Sequence, residues 1–395
     1  MTMTTKKTLL NIITFSFLSI IISACGSDDK EKPKLVKLLN DGELLSTYKT
    51  ETNYTTDKDY FGIYPMIASG NTLYLGLGSG LPAGKDGALL AKFTEGDSSL
   101  TTLQSINEQG VMSFAHYADR ISIPGADPCC GDLHNDNGNP GRYDDEWDWG
   151  NFYTINTNNQ SVTKRRNLPN IVHGWGSWYD KNNQALYYAG SAHLADAPIK
   201  TDATTTGVLY RTNDFGATWE QVANRDNGIG LYRTYDVIGI NGNLYVQHND
   251  NPSGGDCGIA KTDNDGQTWT RIANANVWCA TRLYNIQNTL VALASDGKSF
   301  IKINASDQVS SHTFDPLFSI SAYHTLSHDS SGNVYVGTTD GRIMHSKDLT
   351  NWKEIAKTDD DSIRFNTSTY WKEKNWLILS NWGDKANLWK LPVNP

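Results

Sequence analysis

The residues best suited to chemistry are histidines, tyrosines and arginines that recur in short β-type segments. They stand in Ser113-Phe114-Ala115-His116-Tyr117, Val172-His173-Gly174-Trp175, Tyr232-Arg233-Thr234-Tyr235, Cys279-Ala280-Thr281-Arg282-Leu283-Tyr284, Ala322-Tyr323-His324 and Arg364-Phe365-Asn366. A purely structural strand would carry Val, Ile or Ala there. An Arg guanidinium neutralises a carboxylate or sulfate through a forked hydrogen bond. His and Tyr supply a base and an acid. This set suits β-elimination beside a uronic acid. Neutralising the carboxylate acidifies the C5 proton, a base removes it, and a His or Tyr protonates the leaving glycosidic oxygen. His173, Trp175, Arg282, Tyr323 and His324 are candidate substrate-binding residues. Glycoside hydrolysis would instead want paired carboxylates. No Glu falls in these segments, although Asp119, Asp180 and Asp236 stand near their ends.

A second group of candidates lies in the longest excursion, Pro124 to Trp149. Long ordered loops on a rigid scaffold usually build the binding face. His134 is a second catalytic or orienting histidine on this reading, and Trp147 and Trp149 offer platforms for sugar rings. Asp132, His134 and Asp136 are also the types that hold a cation, oxygen ligands suiting Ca²⁺ and histidine suiting Zn²⁺. The alternative is an acidic excursion with no role.

The elements that must position these residues are strands. A turn residue followed by a short aromatic or β-branched run recurs at Leu73, Leu186, Leu244, Leu290, Val334 and Trp376, with Ile121 filling the one wide gap. Seven copies at a period of roughly 40–60 residues indicate a propeller. The expected fold is an all-β, seven-bladed β-propeller in one domain spanning 35–395, with blades beginning near Phe61, Met112, Ile171, Leu231, Val277, Ser321 and Ile363. The last blade has room for three strands, and Leu44–Lys49 is expected to supply its fourth. In a propeller the first strand of each blade lines the central channel, which is where the His, Tyr and Arg segments fall.

Composition agrees. Charged residues are 19% and aromatics 11%, with 34 Gly, 12 Trp and 19 Tyr. A helical bundle would need more Ala, Glu, Lys and Leu. The aromatic content can bury a core, which excludes disorder. A net charge of −9 argues against a nucleic-acid partner.

Thr212-Asn213-Asp214-Phe215-Gly216-Ala217-Thr218-Trp219 and Thr262-Asp263-Asn264-Asp265-Gly266-Gln267-Thr268-Trp269 form an octapeptide repeat, with Ser346-Lys347-Asp348-Leu349-Thr350-Asn351-Trp352 as a shortened relative. These resemble the Asp-boxes of sialidase-like propellers. The motif is structural: the Asp or Asn caps turn N–H groups, Gly takes the special φ, and Trp packs between blades. The channel set, taken with the fold, resembles propeller-type ulvan lyases, over most of the chain at the level of architecture. That resemblance implies His and Tyr for proton transfer and Arg for the carboxylate, parts that His116, Tyr232 and Arg233 would play. It implies an acidic polysaccharide as partner and no cofactor for the chemistry itself. Sialidases carry an Arg-Ile-Pro motif in the first blade. Here Arg120-Ile121-Ser122-Ile123-Pro124 is interrupted and lies in the second, so a sialidase-like hydrolase is the weaker reading. A non-catalytic glycan- or protein-binding propeller is the remaining alternative.

The N-terminus reads as an address. Lys6 and Lys7, the apolar run Leu9–Ile22 and Ser23-Ala24-Cys25 make a secretory signal that resembles a bacterial lipobox. Residues 1–24 would be removed, Cys25 lipidated, and 25–34 serve as a polar tether. The expected protein is a monomeric, lipid-anchored component of the outer membrane, with 371 mature residues and a net charge of −11 once Lys6 and Lys7 leave. Four further cysteines remain: Cys129, Cys130, Cys257 and Cys279. In an exported chain disulfides are the default, and a Cys257–Cys279 bridge between neighbouring blades is the first expectation. The rival is structural zinc on His248, Cys257 and Cys279, which the ulvan-lyase resemblance favours.

Overall fold

The computed structural model describes residues 42–49, 62–78, 88–106, 108–128, 150–194, 204–251, 257–321, 324, 326–360, 362–381 and 385–393. Alternating apolar residues in short strands, separated by Gly, Asn and Asp turns, give seven antiparallel sheets. Their first strands, in order, are Gly62–Ser69, Ala115–Tyr117, Ile171–Asp180, Arg233–Ile240, Tyr284–Ile286, Leu326–His328 and Phe365–Trp371. This is a seven-bladed β-propeller. Every repeat anchor read from the sequence falls at or near the start of a second strand, such as Thr72–Gly78, Ala185–His193 and Trp376–Asn381. The detected period is therefore that of the hairpin joining first and second strands.

Blade seven is completed by Glu43–Lys49, which pairs antiparallel with Lys385–Pro392. This closure removes the open edges that a linear stack would expose. Apolar side chains interdigitate between neighbouring blades. Trp371, Ile378 and Leu388 of blade seven pack with Ile63, Leu73, Leu75 and Phe93 of blade one. Each fully buried side chain of this size contributes about 1.5–3 kcal/mol.

The octapeptides form the hairpins between third and fourth strands of blades three, four and six. Thr212 Oγ1 accepts from the Gly216 N–H at 3.0 Å, and Asp214 Oδ1 accepts from the Thr218 N–H at 2.9 Å. In the second copy Thr262 and Asn264 accept the same bonds, each at 3.0 Å. Gly216 and Gly266 sit at φ +77° and +84°, where a side chain is strained. Trp219 meets Phe152 of blade two edge-on at 5.1 Å, so it packs between blades as expected.

Two departures concern the channel. Blade five's first strand begins only at Tyr284, so Cys279 to Leu283 form a loop rather than the expected inner strand. Blade three carries two extra strands, Ala126–Pro128 and Glu108–Gly110, on the axial side of Ile171–Asp180, making a six-stranded sheet. The excursion's described stems, Pro128 and Gly150, thus flank blade three. Among the described residues no helix is long and apolar enough to cross a membrane.

Candidate functional site

The channel has two ends. At the entrance end the first strands begin. At the hairpin end they turn into the second strands.

At the entrance end, blades three and four bring four candidates together. Arg233 opens its strand, and its guanidinium carbon lies 4.6 Å from the Tyr232 ring centroid and 5.6 Å from that of Trp175. Cation–π contacts of this kind hold the guanidinium plane in place. Trp175 lies 5.8 Å from His173 with the rings 13° from parallel, and 5.4 Å from Tyr235. His173 Nδ1 is 2.9 Å from Ser191 Oγ, and the residue is buried. Tyr232, Arg233 and Trp175 are half-buried. Glycines flank Trp175 for a packing reason. A Cβ on Gly174 would strike the Tyr188 hydroxyl, and one on Gly176 would lie 2.6 Å from the Tyr235 carbonyl oxygen and against the Asp236 carboxylate.

His116 does not join this group. Its strand reaches the hairpin two residues later, and its Nε2 is 3.0 Å from the carbonyl oxygen of Ala68, itself next to a hairpin. Arg233 lies about eight residues from its own hairpin. The two are therefore separated by on the order of 20 Å along the axis. Burial pushes the His116 imidazole below its ordinary value, with the Ala68 carbonyl opposing.

Arg282 and His324 each stand two residues before the first strand of their blade, five and six respectively. Arg282 Nη1 is 2.8 Å from Asp236 Oδ1, and Asp236 Oδ2 accepts from the Leu283 N–H at 2.7 Å. Asp236 is 1% exposed, so these bonds tie the loop before blade five to blade four. Burial raises the carboxyl to about 6 against the pull of Arg282. His324 Nε2 is 2.8 Å from the carbonyl oxygen of Met112. Burial, reinforced by Arg282, pushes its imidazole down to about 3, so it is neutral.

Of the other acids, Asp119 sits in a hairpin and Asp180 is the last residue of its strand. Asp180 caps the N–H groups of Asn182 and Asn183. Arg120, the start of the interrupted Arg-Ile-Pro run, lies in a second strand and stacks over Phe215 at 5.3 Å, away from the channel. Arg364 is exposed.

The zinc reading of His248, Cys257 and Cys279 is corrected. Cys257 and Cys279 form a disulfide, with Cα atoms 5.1 Å apart, so their sulfurs are not thiolate ligands. His248 instead approaches Asp250, at 3.4 Å. Among the described residues no cluster of three or more His, Cys, Asp or Glu has metal-binding geometry. Cys25, Cys129, Cys130, Asp132, His134, Asp136, Trp147, Trp149 and Tyr323 lie outside the described residues.

Sequence reasoning missed three features. Glu108 is fully buried and accepts from Asn151 Nδ2 at 2.7 Å and the Tyr153 hydroxyl at 3.0 Å, clamping the strand that follows the excursion. Its segment looked like a loop. The Asp236–Arg282 pair joins residues 46 apart, which spacing alone does not reveal. Thr367, in blade seven's first strand, is 1% exposed and its hydroxyl has no hydrogen-bond partner.

Among solved structures, the chain is similar to a catalytically inactive histidine-to-alanine variant of virginiamycin B lyase from Staphylococcus aureus with quinupristin. The TM-score is 0.56 at 12% identity, covering 89% of this chain and 99% of that one. It is similar to YCF48 from Cyanidioschyzon merolae, with TM-score 0.52 and 11% identity over 89% and 98% of the two chains. YCF48 bound to D1 peptide gives 0.53 and 13% over 90% and 98%. No protein-family profile matches, and no curated protein matches. The Asp-box and ulvan-lyase resemblances therefore have no family match behind them. At these identities the likeness is one of fold, and that fold, the seven-bladed β-propeller, carries both a lyase and a peptide-binding protein among these neighbours.

Proposed function

We propose that this chain is a lyase that cleaves an acidic polysaccharide by β-elimination next to a uronic acid, at the entrance end of the propeller. The observation that carries this reading is Arg233, held between the rings of Tyr232 and Trp175 with His173 stacked beyond. That cluster offers a carboxylate fork, an aromatic platform, an imidazole and a phenol in contact sequence. Arg233 neutralises the uronate and acidifies C5–H. His173, whose Nδ1 is 2.9 Å from Ser191 Oγ, is the imidazole assigned to that proton. The C5–H electron pair forms the C4=C5 double bond, the C4–O bond breaks, and the Tyr232 hydroxyl protonates the departing oxygen. His173 thus takes the part expected of His116. Lyase chemistry on this scaffold has a precedent in virginiamycin B lyase.

The test incubates the full chain with sulfated and unsulfated uronate polysaccharides and follows the ultraviolet absorbance of the unsaturated product. Absorbance with at least one is expected, and none with any overturns the reading. A non-catalytic glycan binder is the second reading. The burial of His173 favours it, and binding without unsaturated product would establish it. As part of the same proposal, the propeller is monomeric and held to the bacterial outer membrane by lipid on Cys25. Radiolabelled palmitate incorporation that a Cys25→Ala change abolishes would test the anchor.

A further inference from the structure

Trp278 is 45% exposed. Tryptophan is highly buried on average, so an indole left in water at this position calls for a reason. Its place follows from strand register. Arg233 pairs with Asn249, His248 with Gly258, and Cys257 with Val277, so Arg233 and Val277 stand in one row across blade four. Three strand spacings put their backbones on the order of 15 Å apart. Val277 also bridges to Ala294, just past the end of blade five's second strand, Thr289–Leu293. Second strands end where first strands begin, so Trp278 belongs to the entrance end. The indole lies over the turn that follows: a Cβ on Gly297 would be 3.3 Å from its Cζ3 atom. The backbone beneath the ring is fixed. The Trp278 N–H donates to the Leu293 carbonyl at 3.0 Å, and the Trp278 carbonyl accepts from Gln247 Nε2 at 2.8 Å. The next residue, Cys279, is bridged to Cys257. A large aromatic group on a backbone held this way has little freedom left to lose when a ligand binds.

We infer that Trp278 is a platform for a sugar ring of the same glycan chain that Arg233 holds, a few units along from it, and that the protein therefore prefers long chains to short ones. The inference rests on the proposed function for its choice of ligand, a uronate glycan on Arg233. Pyranose rings present C–H bonds on their faces, which pack against the apolar body of an indole. Their hydroxyls stay in water at an open rim, so the platform needs no charged group of its own. A disaccharide seated on Arg233 is too short to reach Trp278, whereas an octasaccharide spans both.

The test gives the full chain ulvan, alginate and hyaluronate, each as its disaccharide and its octasaccharide. kcat/KM is read where unsaturated product forms, and Kd by titration calorimetry where none does. The native chain should favour the octasaccharide of at least one glycan by at least tenfold, a comparison that needs no variant. Trp278→Ala should lose at least fivefold on that octasaccharide and nothing on the disaccharide, and Trp278→Phe, which keeps a ring, should recover most of the loss. Thermal melts of both variants check folding, and an exposed side chain should leave them close to native. Equal handling of both lengths by the native chain overturns the inference, as does an octasaccharide response indifferent to a folded Trp278→Ala. An equal loss on both lengths also overturns it, because Trp278 would then act by positioning Arg233 rather than by touching sugar. Octasaccharide binding that depends on Trp278 but yields no unsaturated product overturns the lyase reading and supports the platform. Neither binding nor cleavage of any of the three glycans overturns both.

Discussion

His324 Nε2 lies 2.8 Å from the carbonyl oxygen of Met112, linking blade six to blade two across the axis of the propeller. A carbonyl only accepts, so the imidazole donates and must carry its proton on Nε2. The neutral ring does this, and burial beside Arg282 keeps it neutral.

This relationship sets a pH dependence. The unfolded chain binds a proton on each histidine near pH 6.5, whereas folded His324 resists protonation until about 3. His116, His248 and His328 are also pushed down by burial. Between those values the unfolded state holds more protons, so stability falls as pH drops from about 6.5, at up to about 1.4 kcal/mol per pH unit for each such group. Asp236, raised to about 6, acts in the opposite sense, since its folded form holds the extra proton as pH drops toward 4. The histidines outnumber it. The expected result is a melting temperature that falls from pH 7 to pH 5, less steeply in His324→Gln, measured by calorimetry across that range.

Removing Asp236 should be costly. Asp236→Ala leaves Arg282 without its ion pair and the Leu283 N–H without its acceptor, both inside the channel. Breaking one side of a buried pair typically costs about 3–5 kcal/mol. Urea denaturation should show this loss, and replacing both partners by a matched apolar pair should recover part of it.

Gly176→Ala tests the packing that seats this pair. The new methyl would press on the Tyr235 carbonyl and the Asp236 carboxylate, neither a flexible end. Overpacking of this kind costs about 1–3 kcal/mol. The melting temperature should drop without loss of the β-sheet signal in circular dichroism.

The Cys257–Cys279 bridge closes a span of 22 residues between blades four and five. Cross-links of that size contribute about 3 kcal/mol. Reductant should lower the melting temperature, and Cys257→Ser with Cys279→Ser should lower it equally and abolish the effect of reductant. A chelator should change nothing at this position.

The fold was legible because a propeller repeats itself. Each blade shows the same turn and the same apolar second strand, so Leu73, Ile121, Leu186, Leu244, Leu290, Val334 and Trp376 mark it seven times over. The octapeptides added the outer hairpins. The candidate site was legible only in part. Trp175 and Arg233 stood out because large polar and aromatic groups occupy positions where small apolar ones belong. Their grouping with His116 failed because a first strand runs the full depth of the channel, and the residues alone do not give depth. That quantity depends on the distance to the next hairpin, which is two residues for His116 and eight for Arg233. Thr367 gave no signal, since a threonine in a strand is ordinary and only its missing partner distinguishes it.

On the proposed function, Arg233 reads a uronate carboxylate during elimination. The most direct measurement compares unsaturated-product release from one uronate polysaccharide and from its carboxyl-reduced form, with the native chain and with Arg233→Lys. Product is expected from the native glycan only, with a loss of at least tenfold in Arg233→Lys while its melting temperature holds, because an ammonium lacks the planar fork. Equal turnover of the reduced glycan, or full activity in Arg233→Lys, would contradict it.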